Sequence, residues 1–472
     1  MTTLYKSFRR ALTTKDGALL GCIFSLENPD RGTYAFSTNH ERIRGDVEYE
    51  ISGLTHLRDE NTRAAWVDTL VTYWKIAYIL ERDDVADVSW SKAYEGQKDL
   101  LLAMVRGYTK GNWPHWTLPV MYQICLSLRT VAISSDDQAR SLGKAPEHLE
   151  DAARYINKAF TLCISDRAPI EESRKWGTYY IVNLMFKTYF KLNSVGLAKN
   201  ILRVLPASLA DMPPLEAFPK SHIVTFKYYC GVVSFLEEDY GNAETHLTYA
   251  LNHCKADSIR NKEYPLPQYL PAITRLKHTR LILTYLIPTT MLTKHKLPTP
   301  ELLSRFPRLA ALFNPVCKTI KSGNLQAFDA ALRHGEEEFV RRRIYLTLER
   351  TKDIAMRNLF RKVVLYQNEE NRTKIPVRQF QIAMGCAGRG EELGAGGYWG
   401  GNDGNDDGEH GEVEVDGDTV MRSTPERVEV EVEEVECLLA NMIYKGLMKG
   451  YISRERQTVV LSGKEPFPGT VV

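Results

Sequence analysis

A mainly α fold is what this sequence predicts: a TPR-like helical-repeat solenoid followed by a C-terminal winged helix that carries a disordered acidic insertion. Three observations lead there. Apolar residues recur at helical spacing through most of residues 45–370, and long alternating runs of the strand type are absent. Gly231 is followed by Ala243, Leu247 and Ala250 at offsets of +12, +16 and +19, the tetratricopeptide pattern, in which small residues sit where two antiparallel helices cross. After about residue 350 the order becomes helix, helix, helix, hairpin.

Taken in chain order, the first strong element lies around Trp66, with apolar residues at 66, 67, 70, 73, 74, 77 and 78. That stripe is wide enough for burial between two neighbouring helices. Leu100 to Tyr108 and Leu118 to Ile133 read the same way, and Asp136-Asp137 opens an expected loop to Pro146. Partial copies of the repeat follow at Ala152/Ile156/Ala159 and Phe186/Ala198/Leu202/Leu205. Pro213-Pro214, Pro265-x-Pro267 and Pro298-x-Pro300 separate helical stretches. Gly323-Asn324-Leu325 reads as the hinge and start of the second helix of a further unit. No such pair buries its apolar face alone, so the pairs must stack.

The final module begins with amphipathic helices expected at Ile354 to Tyr366 and Pro376 to Met384. Gly385 to about Asp418 is then rich in Gly, Asp, Asn and Glu, and residues 391–436 hold sixteen carboxylates against two arginines. So polar a segment cannot offset its ordering entropy and is expected to be disordered. The rest of the chain is distinctly basic by difference. Val435, Leu438, Leu439, Met442 and Ile443 lie on one face of a third helix, expected to run to Gly450. Tyr451 to Ser453 and Thr458 to Ser462 flank Arg454-Glu-Arg-Gln457 as a hairpin.

Composition excludes several function classes. Hydrophobic residues make up 43% of the 472, enough for a sizeable core, and no run approaches 18 uncharged apolar residues. The amino terminus lacks the apolar run of a signal peptide. Eight scattered cysteines without a CxxC read as reduced, mostly buried thiols. His246, His253 and Cys254 share a helix face but lack the fourth ligand and close pairing of a zinc site. Gly394, Gly396 and Gly397 lack the Lys-Ser/Thr of a phosphate loop. No catalytic centre, cofactor or metal is expected.

The binding candidates are cations. Asn441, Lys445 and Lys449 at i, i+4, i+8 of a continuous third helix span an arc of roughly 80°, and Arg454, Arg456 and Lys464 add a basic wing. A recognition helix with such a wing is a usual way to meet phosphates. Arg341, Arg342 and Arg343 form a second cluster, beside Glu336-Glu-Glu338. The tyrosine-rich stretch after Phe226 sets Tyr228 and Tyr229 beside Lys227, and Arg260, Lys262, Lys277 and Arg280 continue a basic surface suited to an acidic partner.

The helical array, the Cys317-Lys-Thr-Ile-Lys-Ser-Gly-Asn-Leu stretch and above all Val435 to Pro468 resemble PCI-domain proteins, named for the proteasome lid, the COP-nine signalosome and translation initiation factor three. Val435 to Pro468 is similar to one branch, that of the PCI subunit of the nuclear transcription-and-export complex and of the twelfth, accessory subunit associated with the fungal signalosome. The resemblance implies N-terminal repeats over 1–210, the helical part of a PCI domain over 211–350, and the winged helix over 351–468 with its acidic insertion at 385–430. It implies a non-enzymatic scaffold in a nuclear, partly pore-associated and partly cytoplasmic hetero-complex, not a homo-oligomer, away from any membrane. A second PCI-domain protein, a small acidic DSS-one/Sem-one type protein, and RNA or DNA held without sequence preference are the implied partners. The alternative is an accessory scaffold of a signalosome or proteasome-lid type assembly without nucleic acid. The insertion departs from the family pattern.

Overall fold

In this computed structural model, residues 3–37, 39, 41–54, 57, 59–82, 89–208, 211–254, 277–387 and 431–469 are described. The expected disordered insertion, apart from residues 385–387, and the Pro265-x-Pro267 break lie outside them. The chain divides into two compact units. The first holds residues 1–237 and 245–254, the second 238–244 and everything from 255 onward.

The N-terminal unit is built from α1 (Thr3–Thr14), α2 (Gly17–Ile23), α3 (Arg31–Ala35), α4 (Ile43–Ser52), α5 (Glu60–Arg82), α6 (Trp90–Thr109), α7 (Leu118–Ser141), α8 (His148–Ile164), α9 (Thr178–Lys191), α10 (Val195–Ser208) and α11 (Lys220–Leu236), with α12 (Tyr240–His253) contributing to both units. From α5 to α11 each helix packs on the next, and alternate ones touch as well, α6 with α8 and α7 with α9. That is the stacked-pair arrangement the spacing predicts. Of the Trp66 stripe, residues 66, 67, 70, 73, 74 and 77 are buried and Tyr78 is half-buried. Ala243, Leu247 and Ala250 are wholly buried, and a Cβ placed on Gly231 would lie 2.6 Å from Leu247 Cγ. The glycine therefore permits this approach of α11 to α12. Of the partial copies, Ala152, Ile156, Ala159, Phe186, Ala198 and Leu205 are buried, but at 202 the inward residue is its neighbour Ile201.

One boundary in the N-terminal unit differs from expectation. α7 does not end at Asp136 but runs to Ser141. The Asp136 side chain is buried, and its carboxylate accepts the backbone N–H groups of His148 (2.9 Å) and Leu149 (3.0 Å) at the start of α8. An acid satisfied by the next helix's N-terminus has no reason to break its own.

The second unit continues with α13 (Lys277–Lys294), α14 (Pro300–Ser304), α15 (Pro307–Ser322), α16 (Leu325–His334), α17 (Glu336–Arg341) and α18 (Tyr345–Glu349). The expected hinge is present. Gly323 closes α15 in the left-handed region at φ +68, and Asn324 caps α16 by accepting the Ala327 N–H at 2.9 Å. A Cβ at Gly323 would also sit 2.8 Å from Leu359 N.

The winged helix comprises α19 (Lys352–Leu365), β1 (Lys374–Pro376), α20 (Val377–Ala387), α21 (Val432–Tyr444), β2 (Gly450–Ser453) and β3 (Thr458–Leu461). Its antiparallel sheet has the order β1-β3-β2, with Ile375 and Ile452 both opposite Val459. Phe360 and Phe380 meet edge to face at 5.3 Å, and Val435, Leu439 and Met442 bury the inner face of α21. β1 is the element the periodicity did not show, because three residues are too short to display a period of two.

Candidate nucleic-acid interface

The third helix stops earlier than expected. Lys445 is its C-cap, donating its N–H to Asn441 O at 2.9 Å, and Gly446 follows at φ +68. A left-handed glycine at that position ends a helix. Lys449 therefore lies in the turn before β2, with its N–H on Pro466 O at 2.8 Å, and the Asn441–Lys445–Lys449 arc does not exist as a helix face. The outward face of α21 instead presents Glu433, Cys437, Asn441 and Tyr444, the last 91% exposed.

The predicted cations are spread along the end of α21 and both ends of the hairpin: Lys445 caps α21, Lys449 and Lys464 flank the hairpin's open end, and Arg454 and Arg456 lie in its turn. Lys445 Nζ donates to Asp353 Oδ2 at 2.6 Å, and Lys449 Nζ to Glu465 Oε2 at 3.1 Å. Arg454 Nε lies 4.0 Å from Glu436 Oε2 with its side chain almost fully exposed. Arg456 and Lys464 are exposed and pair with no carboxylate among the described residues. Exposed pairs of this kind contribute about 0–1 kcal/mol each, so a phosphate can replace the carboxylate at little cost. No spacing along the chain marks these carboxylates. Asp353 stands 92 positions from Lys445 and carries no local signal.

Arg341 and Arg342 both reach Glu338, the first by a 2.7 Å hydrogen bond, and Arg343 holds φ +59 at the turn into α18. Burial lowers the Arg342 pKa; Glu338 opposes this, and the charges of Arg341 and Arg280 lower it further. Arg280 thus joins the arginine cluster. Lys277 opens α13, its side chain lying outside the described residues, as Arg260 and Lys262 do entirely. In the N-terminal unit Lys227 stands over the Tyr249 ring at 5.6 Å. Tyr228 and Tyr229 meet at 5.0 Å, and Tyr229 also packs against Phe186 and Phe190, so much of it is committed to the interior. No described helix is long and apolar enough to cross a membrane.

Comparison with known proteins agrees with the C-terminal module. The PCI domain signature matches residues 423–462, which include α21 and the hairpin. The chain is 41% identical to a Neurospora crassa protein named CSN12 homolog, over the full length of both. It is 36% identical to the Schizosaccharomyces pombe CSN12 homolog over 86% of this chain and 84% of that one. With the Xenopus laevis PCI domain-containing protein 2 it shares 32% over 80% and 79%. A mainly α chain ending in a winged helix, alike end to end with such relatives, belongs to the PCI-domain family of scaffold-type proteins, among those named CSN12 homolog and PCI domain-containing protein 2.

Proposed function

We propose that the chain is a non-enzymatic adaptor of a nuclear complex that couples transcription to mRNA processing and export. In this reading it pairs with a second PCI-domain protein and a small acidic protein of the DSS-one/Sem-one type, and it holds RNA or DNA through the winged helix. The feature that supports the nucleic-acid role most is the run of exposed cations along the end of α21 and the hairpin, Lys445, Lys449, Arg454, Arg456 and Lys464, whose carboxylate partners among the described residues are weak or missing. Arg341, Arg342 and Arg343 offer a second cationic area. Replacing Lys445, Lys449, Arg454 and Arg456 together by alanine should weaken oligonucleotide binding and leave thermal unfolding unchanged. The slope of log K against log salt should flatten by about one unit for each phosphate deprived of its cation.

A second reading has its own support. Three of the five cations sit beside carboxylates, and several relatives are named for the signalosome subunit CSN12. A scaffold without nucleic acid would bind oligonucleotide no better than the quadruple variant does. Its affinity-purified complex would then hold signalosome or proteasome-lid subunits and no export factors.

A further inference from the structure

Helices α7, α9 and α11 lie side by side in the N-terminal unit. Each carries one group and, seven residues later, a second on the same face: Tyr122 and Arg129, Tyr180 and Lys187, His222 and Tyr229. Seven residues are two turns, about 10 Å of rise, so the three helices present two tiers.

The first tier is aromatic. Tyr122 and Tyr180 stack at 4.1 Å with 24° between their planes, and His222 stands edge-on to both, at 5.9 and 5.2 Å. Tyr122 Oη donates to Trp176 O at 3.3 Å, and Asn183 Nδ2 donates to His222 O at 2.8 Å, which ties α9 to α11 here. All three residues are half-buried, so part of each stays open to water.

The second tier brings two cations together. Arg129 Nη2 donates to the backbone carbonyl of Lys187 at 3.3 Å, while Arg129 Nε is buried and finds no partner among the described residues. Among the described residues neither side chain pairs with a carboxylate. Burial holds the Arg129 pKa below its ordinary value, against the Tyr229 phenol. The Lys187 ammonium is lowered first by burial and then by the charge of Arg129. Lys187 is exposed, so its ammonium is open to solvent and to ligands. Two neighbouring like charges with no carboxylate beside them among the described residues raise the energy of the unliganded protein, and an anion would lower it.

We propose that this face of the N-terminal unit binds a single-stranded nucleic acid, its phosphates between Arg129 and Lys187 and a base against the Tyr180–His222 edge. An acidic peptide would use the cations and leave the aligned rings idle, whereas a strand alternates a charge with a flat ring, and such sites combine a positive track with aromatic platforms. The face shares no residue with the winged-helix cations, so its fate does not depend on theirs.

The test uses the full chain, wild type and with the four winged-helix alanines, and the anisotropy of a short fluorescein-labelled oligouridine at several salt concentrations. On either background, Arg129→Gln with Lys187→Gln should weaken binding about tenfold or more at low salt and flatten the salt slope by about 1.4, or about 0.7 per cation removed from a single strand. Tyr180→Leu should weaken binding about tenfold at an unchanged slope, as removal of one stacked base does. Uridine monophosphate should compete far more weakly than unlabelled oligouridine, because it spans one tier at a time. Lys187 is exposed, so Lys187→Gln alone is expected to fold and keeps the test readable if Arg129→Gln does not fold. Unchanged affinity and slope in Lys187→Gln would overturn the proposal. So would polyglutamate displacing the oligonucleotide as well as unlabelled oligouridine does at equal charge.

Discussion

At Gly231 one missing carbon decides how two helices meet. A methyl there would overlap Leu247, itself wholly buried, so Gly231→Ala should cost about 1–3 kcal/mol, the usual penalty of overpacking, with a lower melting temperature by calorimetry. Adding Leu247→Ala should return part of that stability, because neighbours that share one space are not additive. This residue was legible in the sequence because its offsets to 243, 247 and 250 are local. Lys445 was legible only as a cation. Its carboxylate partner comes from α19, and no spacing along the chain announces an acid 92 positions away.

Among the elements, the segment between α8 and α9 is fixed by one acid. Asp166 accepts from Ser173 Oγ (3.1 Å), Arg174 N (2.7 Å) and Arg174 Nη2 (2.8 Å), and Arg174 Nη1 reaches Tyr108 O on α6 at 3.0 Å. Burial pushes the Asp166 pKa up, but the Arg174 bonds and charge and the Ser173 hydroxyl outweigh it, taking the pKa from 3.8 down to about 2. A folded-state value below the unfolded one means stability that is fully present above about pH 4 and is lost as pH falls through 2. Asp166→Asn should therefore cost about 1–2 kcal/mol at neutral pH and flatten the acid limb of urea-unfolding stability between pH 4 and 2. Element ends were the least legible parts. Helical periodicity located α5, α19 and α21. It cannot see that Asp136 is satisfied by α8, or that Gly446 turns left-handed and ends α21 well before Gly450. The hairpin was readable because Tyr451 to Ser453 and Thr458 to Leu461 flank a polar four-residue turn.

For the whole molecule, the repeat spacing pointed to the solenoid and the C-terminal order to the winged helix, since both patterns lie within a few tens of residues. Which cations share a surface was not legible, because helices far apart in the chain bring them together. Arg280 joins Arg342 from 62 positions away, and Arg129, Lys187 and Tyr229 meet across three helices. The elements that carry the arginine cluster also expose apolar side chains, Leu281 on α13 and Val340 on α17. Such a combination suits an acidic segment that also carries apolar groups. Co-expression with a small acidic protein of the DSS-one/Sem-one type should raise the soluble yield and the melting temperature of the purified chain. Equal yield and equal melting with and without it would remove that partner from the proposed assembly.

The allotment of α12 to both units has a consequence for anyone who wishes to divide the protein. A cut after Glu237 looks natural on paper, since one unit's continuous stretch ends there, yet it discards Leu247 and leaves the groove opposite Gly231 empty. A cut after Cys254 keeps Leu247 but carries off residues 238–244, including Glu238 and Glu244, which hold Arg350 and Lys294 in the other half. Neither scission leaves two intact inheritances. Because α12 has residues in both units, a truncation at this helix removes packing from each of them.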